Sequence, residues 1–317
     1  MRIHGAWVTF SFAATERAAF FVVDCMPTHL LMALYLAAAW GGSFLFMRAS
    51  APVFGAVPLI FIRVALAGLM LLPLMWVQGG MRIWRENWLK IAIVGSLITA
   101  IPFCMLSWAT LSLSAGVTSV LNATTPLMAA LWAIPLIGEK MTARRALGLS
   151  LGLVGVLILT LGQGKGFHVQ DAVLPVLASL LATACYGWST HMSRIWLAHV
   201  PPLVMSCAGL LSGAVILAPL AWWLWPNHAI APSAWGMALG LAVFSTAIAY
   251  LVFYRLIALW GATKTTSVTY LVPVFGMLWG WLFLREPITL TMILGGLVII
   301  TGVMVLNSGK RIQKLAH

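Results

Sequence analysis

Polar side chains recur at helical spacing inside two apolar stretches of the sequence. Thr118, Asn122 and Thr125 stand at positions i, i+4 and i+7, so a helix places them on one face. The second stretch contains a similar set, Thr266, Thr269 and Tyr270. Because an unsatisfied polar group in lipid is costly, these residues predict a polar cavity that binds a small molecule. The alternative is hydrogen bonding between helices, at about 0.6 kcal/mol per contact.

One cation, Arg63, lies well inside an apolar stretch, where it needs a partner or water. It could bind a substrate carboxylate, or it could pair with backbone carbonyls as a fixed structural element. Three aromatic residues, Trp40, Trp188 and Tyr250, are candidates to line the same pathway. Together with the polar stretches, these residues form the predicted substrate-binding set.

Two glutamates, Glu139 and Glu286, each follow the end of an apolar stretch. Either could form a gating salt bridge, with its neighbour, Lys140 or Arg285, neutralising it locally. The alternative is that each glutamate caps the helix that follows it. We retain both as candidate gating residues.

The sequence lacks the residues and motifs that several kinds of chemistry require. After residue 25, all the acids lie at the ends of apolar stretches or between them, which disfavours a cationic substrate. There is no GxSxG or HExxH motif, and residues 162–166 lack the Gly-Lys-Ser/Thr ending of a phosphate loop. The four cysteines have no CxxC spacing. We therefore expect no enzyme, no catalytic residues, no metal and no cofactor.

The composition excludes a water-soluble fold. The chain is 62% hydrophobic and 8% charged, whereas a soluble domain has about 25% charged residues. Ten apolar stretches are each long enough to cross a membrane as a helix: they lie near 29–47, 55–77, 88–108, 113–136, 143–162, 172–193, 203–225, 234–257, 262–284 and 289–307. The net charge of +12 then indicates loops that face anionic lipid, and no nucleic-acid partner is expected.

The distribution of basic residues predicts the orientation. With the N-terminus inside, fourteen of the 18 Lys and Arg residues are cytoplasmic. We therefore expect a multi-pass protein of a bacterial inner membrane with both termini in the cytoplasm. Residues 1–27 are expected to be an N-terminal extension with Met26 as the true start, and residues 309–317 a basic cytoplasmic tail.

The sequence contains an internal repeat. Residues 113–155 match residues 260–302 at an offset of 147, which pairs Pro126 with Pro273, Trp132 with Trp279 and Glu139 with Glu286; an offset of 146 pairs Arg48 with Arg194. Because each half has five spans, the second half enters the membrane upside down. The predicted fold is an all-α integral membrane protein of ten transmembrane helices, built from two inverted five-helix repeats, residues 28–163 and 170–308.

The repeat resembles a known family at several points. The run from Trp40 to Phe44, Arg63, the Ala-Gly-x-Thr-Ser run before Pro126, and the second-half segment from Ala262 to Pro273 are similar to the EamA repeat of the drug/metabolite transporter superfamily. The Gly-Glu-Lys sequence at residues 138–140 and the Arg-Glu-Pro sequence at residues 285–287, each at the end of an apolar stretch, are also similar to this repeat. The resemblance implies ten helices with cytoplasmic termini and a central cavity. It also implies export or uptake of amino acids, related metabolites or drugs.

The leading hypothesis is a secondary transporter of small metabolites within the lipid bilayer. Inverted repeats can open alternately to either side of the membrane around one central site. The expected activity is efflux of amino acids or related neutral or zwitterionic compounds. The alternative is a lipid flippase or membrane enzyme acting on an amphiphilic substrate, and a purely structural subunit is a third. Whether the protein is a homodimer stays open.

Overall fold

The computed structural model describes residues 28–161 and 169–308. The predicted N-terminal extension, residues 1–27, and the predicted basic tail, residues 309–317, lie outside the described residues. Within them every regular element is helical, and no strand occurs. This confirms the predicted all-α fold class.

Ten helical segments in the described ranges are long and apolar enough to cross a membrane. A helix satisfies its own backbone hydrogen bonds, which lipid cannot do. In chain order, spans 1 to 10 are Thr28–Phe54, Ala56–Val77, Gly80–Ala109, Ala115–Ile137, Ala143–Leu161, Asp171–Trp196, Pro202–Trp223, Pro232–Trp260, Lys264–Leu284 and Leu290–Asn307. Span 1 extends beyond the predicted limit of residue 47, and Arg48, expected in a loop, therefore belongs to this helix.

Four spans are interrupted, and apart from a kink at Asn87 near the start of span 3 the interruptions come in two pairs. They are Thr99 in span 3, residues 123–124 in span 4, the π-helical turn Val243–Ile248 in span 8 and the 3-10 turn Ser267–Leu271 in span 9. The repeat offset of 147 residues relates span 3 to span 8 and span 4 to span 9. The two halves therefore share their irregular backbone as well as their regular helices.

Proline explains three of the four interruptions. Pro102, Pro126 and Pro273 have no N–H to donate to the carbonyl four residues earlier. This removes a helical partner from the carbonyls of Ile98, Asn122 and Thr269. Non-helical backbone is tolerated at membrane depth where it lines a cavity or is buried in protein. The π-helical turn of span 8 contains no proline.

The two halves pack against each other through equivalent pairs of spans. Span 1 packs against span 9, as span 6 packs against the second part of span 4, and span 3 packs against span 7, as span 8 packs against span 2. The Trp279 Nε1 donates to the Ala38 carbonyl at 3.0 Å, and the Trp132 Nε1 donates to the Ala184 carbonyl at 3.0 Å. These bonds are related by the repeat offsets, so the duplication is structural.

Two glycines allow these helix pairs to approach closely. A Cβ on Gly41 would lie 2.6 Å from the Phe275 Cβ and 2.9 Å from the Gly276 nitrogen. A Cβ on Gly187 would lie 2.7 Å from the Ala129 nitrogen. Backbone therefore contacts backbone at both places, which small residues at helix crossings permit.

Candidate functional site

A cavity of about 1240 Å³ lies between the two halves. Its wall includes residues from nine of the ten spans, such as Ser43, Arg63, Phe103, Asn122, Tyr186, Tyr250, Thr269 and Asn307. The wall continues to residues 139–140 after span 4, to residues 142–145 at the start of span 5, and to Arg194 in span 6. The cavity thus runs from the middle of the bundle to the end that carries Glu139.

Arg63 occupies the inner part of the cavity wall. Only 4% of its surface is exposed. Its Nε donates to the Thr246 Oγ1 at 2.9 Å, and its guanidinium carbon lies 3.7 Å from the centroid of the Phe103 ring. The ion pairs among the described residues all involve other arginines. Arg63 is therefore a buried cation without a carboxylate partner in the described chain.

The π-helical turn of span 8 positions the partner of Arg63. Thr246 lies in this turn, and its Oγ1 donates to the Leu241 carbonyl, five residues earlier, at 2.9 Å. The same oxygen accepts the hydrogen bond from Arg63. The wide turn therefore holds Thr246 with its hydroxyl toward span 2, which fixes the guanidinium.

Two buried oxygens in the cavity wall have no hydrogen-bond partner among the described residues: Asn122 Oδ1 and Ser245 Oγ. Asn122 ends the first helix of span 4, and the Thr125 Oγ1 donates to its backbone carbonyl at 2.8 Å. Because buried polar atoms are usually satisfied, two free acceptors at one cavity indicate a polar ligand or water.

The second half contributes the predicted residues Thr266, Thr269 and Tyr270 to the wall. The Tyr270 hydroxyl accepts a hydrogen bond from the Asn307 Nδ2 at 3.0 Å. Trp40 and Tyr250 also line the cavity. The aromatic pairs that include them are Trp40 with Phe253, 5.4 Å between centroids, and Tyr250 with Tyr254, 6.2 Å.

The structure does not bring two of the predicted binding residues to the cavity. Thr118 is fully buried, and its Oγ1 donates to the Ser114 carbonyl at 3.0 Å. Trp188 packs edge-on against Trp196 at 5.8 Å between centroids. Thr118 lies one turn before Asn122 in the same helix, Ala115–Asn122, where this helix packs against spans 6 and 9, so helical spacing from Asn122 does not bring Thr118 to the cavity.

The end of the bundle that carries Glu286 is sealed by a network between the halves. The Ala115 N–H donates to the Glu286 Oε2 at 2.9 Å, and Arg48 approaches the Glu286 Oε1 at 3.5 Å. The Arg48 Nη1 also donates to the carbonyls of Thr110 and Leu111, at 2.6 and 2.8 Å. Burial raises the pKa of Glu286, while Ala115 and Arg48 act to lower it.

Glu139 makes a different contact at the other end. It pairs with Arg145, and Arg145 Nη1 donates to the Lys140 carbonyl at 2.9 Å. This ion pair stays within the loop after span 4 and the start of span 5, so it does not connect the halves. Arg194, the repeat equivalent of Arg48, is exposed and makes no ion pair among the described residues.

Neither glutamate pairs with its sequence neighbour, although Lys140 and Arg285 were expected to neutralise them. Gly138 and Arg285 both adopt left-handed backbone after their helices, with φ of 69° and 55°. The N–H of Glu139 then donates to the Ala133 carbonyl, and that of Glu286 to the Gly280 carbonyl. After these matched turns, the Glu286 carboxylate meets Ala115 and Arg48 in the other half of the chain, whereas the Glu139 carboxylate meets Arg145, six residues later.

Some wall residues carried no strong sequence signal. Ser245 and Thr246 form one adjacent pair and Asn307 is a single polar residue in an apolar span, while Tyr186 is one of many aromatic residues in the spans. The repeat could have identified Thr246, which aligns with Thr99 in the other interrupted span. Within the described residues no group of three His, Cys, Asp or Glu side chains could hold a metal ion.

Both halves of the chain match one family model. The EamA-like transporter family matches residues 28–161 and again residues 173–308. One solved crystal structure superposes with a TM-score of 0.62 and 19% identity, over 90% of this chain and 98% of that chain. That likeness supports the fold.

Two similar proteins extend over most of the chain. The uncharacterized transporter YvbV of Bacillus subtilis is 29% identical over 295 residues, 91% of this chain and 94% of that protein. A probable terminal-alkyne amino-acid exporter of Streptantibioticus cattleyicolor is 25% identical over 269 residues, 84% of this chain and 89% of that protein. These names describe transporters rather than enzymes. With the ten spans and the double family match, the chain belongs to the EamA-like transporter family as a multi-pass membrane protein.

Proposed function

We propose that this transporter exports amino acids or related neutral and zwitterionic metabolites by alternating access. The supporting observation is the difference between its two ends. A large cavity with polar and charged side chains in its wall reaches the end with Glu139, whereas the Glu286 network seals the other end. A cavity that reaches only one side at a time is the arrangement that alternating access requires.

Glu139 and Glu286 act as exchanging gates in this proposal. In the opposite state Glu139 leaves Arg145 and pairs with Arg194, because Arg194 stands at the repeat position of Arg48. The backbone N–H of Ala262, which begins the first helix of span 9, takes the place of the Ala115 N–H. The seal around Glu286 opens at the same time.

The direction of transport follows from the proposed orientation. The excess of Lys and Arg supports an orientation in which both termini and the mouth near Glu139 face the cytoplasm. The structure then corresponds to the state that takes up substrate from the cytoplasm. Export of an amino-acid-like compound is further supported by the relative named as a probable amino-acid exporter.

Substrate contacts in this proposal come from both halves. Asn122 and Thr125 serve from span 4, and Thr266, Thr269 and Tyr270 from span 9. Arg63, Trp40 and Tyr250 complete the binding set. Thr118 and Trp188 are excluded because they lie away from the cavity wall.

Counterflow of labelled amino acids in proteoliposomes tests the proposal. The double variant Asn122→Leu with Tyr270→Ala is expected to abolish counterflow, because it removes one polar contact from each half. The matched control, Thr118→Val, changes a polar residue of span 4 away from the cavity and should retain transport. Full transport by the folded double variant would contradict the site. Movement of a phospholipid analogue by the wild type would favour the flippase alternative.

A further inference from the structure

The charged side chains of the cavity wall are strongly unbalanced. Arg63, Lys140, Arg144, Arg145 and Arg194 are cationic, whereas Glu139 is the one carboxylate among the described wall residues. That carboxylate already pairs with Arg145. Clefts lined by charge of one sign raise the local concentration of ligands of the opposite sign. The wall therefore favours an anionic group on the ligand.

Arg63 has donors that the described chain leaves unused. Its Nε bonds to Thr246, and its Nη1 has only the Met47 sulfur, at 3.8 Å. The Nη2 has no acceptor among the described residues. Phe103 covers a face of the guanidinium, so the edge formed by the two terminal nitrogens is left for a ligand. A carboxylate matches this edge with two parallel hydrogen bonds.

The repeat indicates that Arg63 is not needed to build the scaffold. An offset of 146 pairs Pro73 with Pro219 and, in the same register, Arg63 with Gly209. A Cβ on Gly209 would lie 3.0 Å from the Gly95 Cα, so glycine at this position packs directly on a neighbouring helix. The second half therefore folds equivalently with no side chain where the first half has a buried cation.

Apart from Glu139, which pairs with Arg145, the described residues of the cavity wall offer no negative charge for an ammonium group. The free acceptors near the break in span 4 and in the π-helical turn, Asn122 Oδ1 and Ser245 Oγ, are neutral. They can hydrogen-bond an amine or a hydroxyl, but they cannot replace the water around a cation as a carboxylate would. An amino group is thus accommodated without being required.

We propose that this transporter recognises its substrates by a carboxylate bound at Arg63, and that the amino group is dispensable. The substrate class then includes N-acylated amino acids and simple organic monocarboxylates as well as amino acids. This inference rests on the proposed transport function and makes it more specific.

A matched ligand series tests it. Leucine, N-acetylleucine, 4-methylpentanoate and leucinamide share one side chain and differ in the carboxylate and the amine. Each competes against labelled leucine or 4-methylpentanoate for binding to purified protein in lipid nanodiscs. The three carboxylates are expected to compete within about tenfold of one another, and leucinamide is expected not to compete. Competition by leucinamide equal to that of leucine would overturn the inference.

Four variants at three positions test which residues bind the carboxylate. Arg63→Gln is expected to weaken the binding of all three carboxylates at least about tenfold, since one charged contact is lost. The exposed control Arg82→Gln is expected to leave their affinities unchanged. Arg63→Lys keeps the charge without the planar edge and should retain part of the affinity. Asn122→Asp adds a carboxylate and should favour leucine over 4-methylpentanoate about tenfold. Unchanged affinity in folded Arg63→Gln would overturn the proposal.

The failure of this inference can be told apart from failure of the transport function. If no carboxylate binds, or if the affinity does not depend on Arg63, the proposed carboxylate site is contradicted. Exchange of the two gates, measured by distances across each end of the bundle, does not depend on the substrate class. Gate exchange without carboxylate recognition would therefore leave the transport proposal in place.

Discussion

Glu139 and Glu286 occupy equivalent positions at opposite ends of the bundle, yet their contacts differ. Both follow a helix that ends in left-handed backbone, and both N–H groups bond back to the helix in the same way. Glu286 joins the halves through Ala115 and Arg48, whereas Glu139 pairs within its own half. The duplicated backbone is thus compatible with two sets of side-chain contacts.

The two halves differ in their contacts at the ends of the bundle, whereas their contacts in the middle are equivalent. Gly41 and Gly187 allow the same backbone contacts, and Trp132 and Trp279 donate the same interhelical hydrogen bonds. A conformational change that exchanges the ends can therefore keep these contacts as pivots. The substitutions below test whether these contacts in the middle stay fixed while the contacts of the two glutamates exchange.

The largest effect is expected at the pivots. Gly41→Ala and Gly187→Ala each put a Cβ under 3 Å from backbone atoms, so each should reduce the free energy of unfolding by about 1–3 kcal/mol and impair transport. Gly42→Ala is the matched control, because its nearest neighbour would be 3.6 Å away. Thermal unfolding in detergent measures the effect. Equal stability of all three variants would contradict the idea of tight pivots.

A smaller effect is expected at the sealed end. Glu286→Gln keeps an acceptor for the Ala115 N–H but loses the ion pair with Arg48, which should shift the population toward the opposite state about tenfold, or ~1.4 kcal/mol. Labelling of a cysteine inside the cavity reports the population of each state. Glu139→Gln is the control, since it breaks no contact between halves in this state. A larger shift from Glu139→Gln would reverse the assignment of the seal.

The smallest effect is expected at the open end. Arg145→Ala frees Glu139 for Arg194 and should favour closure of that end, by at most about fivefold because partly exposed ion pairs contribute ~0–1 kcal/mol. Arg194→Ala should act in the opposite direction by removing the expected partner. The same cysteine labelling measures both variants. If the two substitutions shift the population in the same direction, Arg194 is not the second gate partner.

Much of the scaffold could be predicted from the sequence because lipid imposes strong rules. Apolar length predicts the ten spans, and the matched Pro, Trp and Glu residues predict the repeat. The prolines at 126 and 273 also predict where spans 4 and 9 are interrupted. The π-helical turn of span 8 could not be predicted, since it contains no proline and depends on packing around Thr246.

The site was less predictable than the scaffold. Arg63, Asn122 and Tyr270 could be selected as polar residues in apolar surroundings, and all three line the cavity. Thr118 was selected by the same rule, but it is buried one turn before Asn122, where the helix packs against its neighbours. The partners of Glu286 belong to helices distant in sequence, and the partner of Glu139 depends on the backbone turn that precedes it, which spacing does not reveal.

The central claim, that the two ends open in opposition, is tested most directly by distances across both ends in one experiment. After replacement of the native cysteines, spin labels on Met141 and Ile195 report the open end, and labels on Ala49 and Ile288, their repeat equivalents, report the sealed end. Pulsed electron spin resonance then measures both pairs in nanodiscs, with and without substrate. The account predicts that one distance shortens as the other lengthens. Distances that change together, or do not change at all, would contradict it.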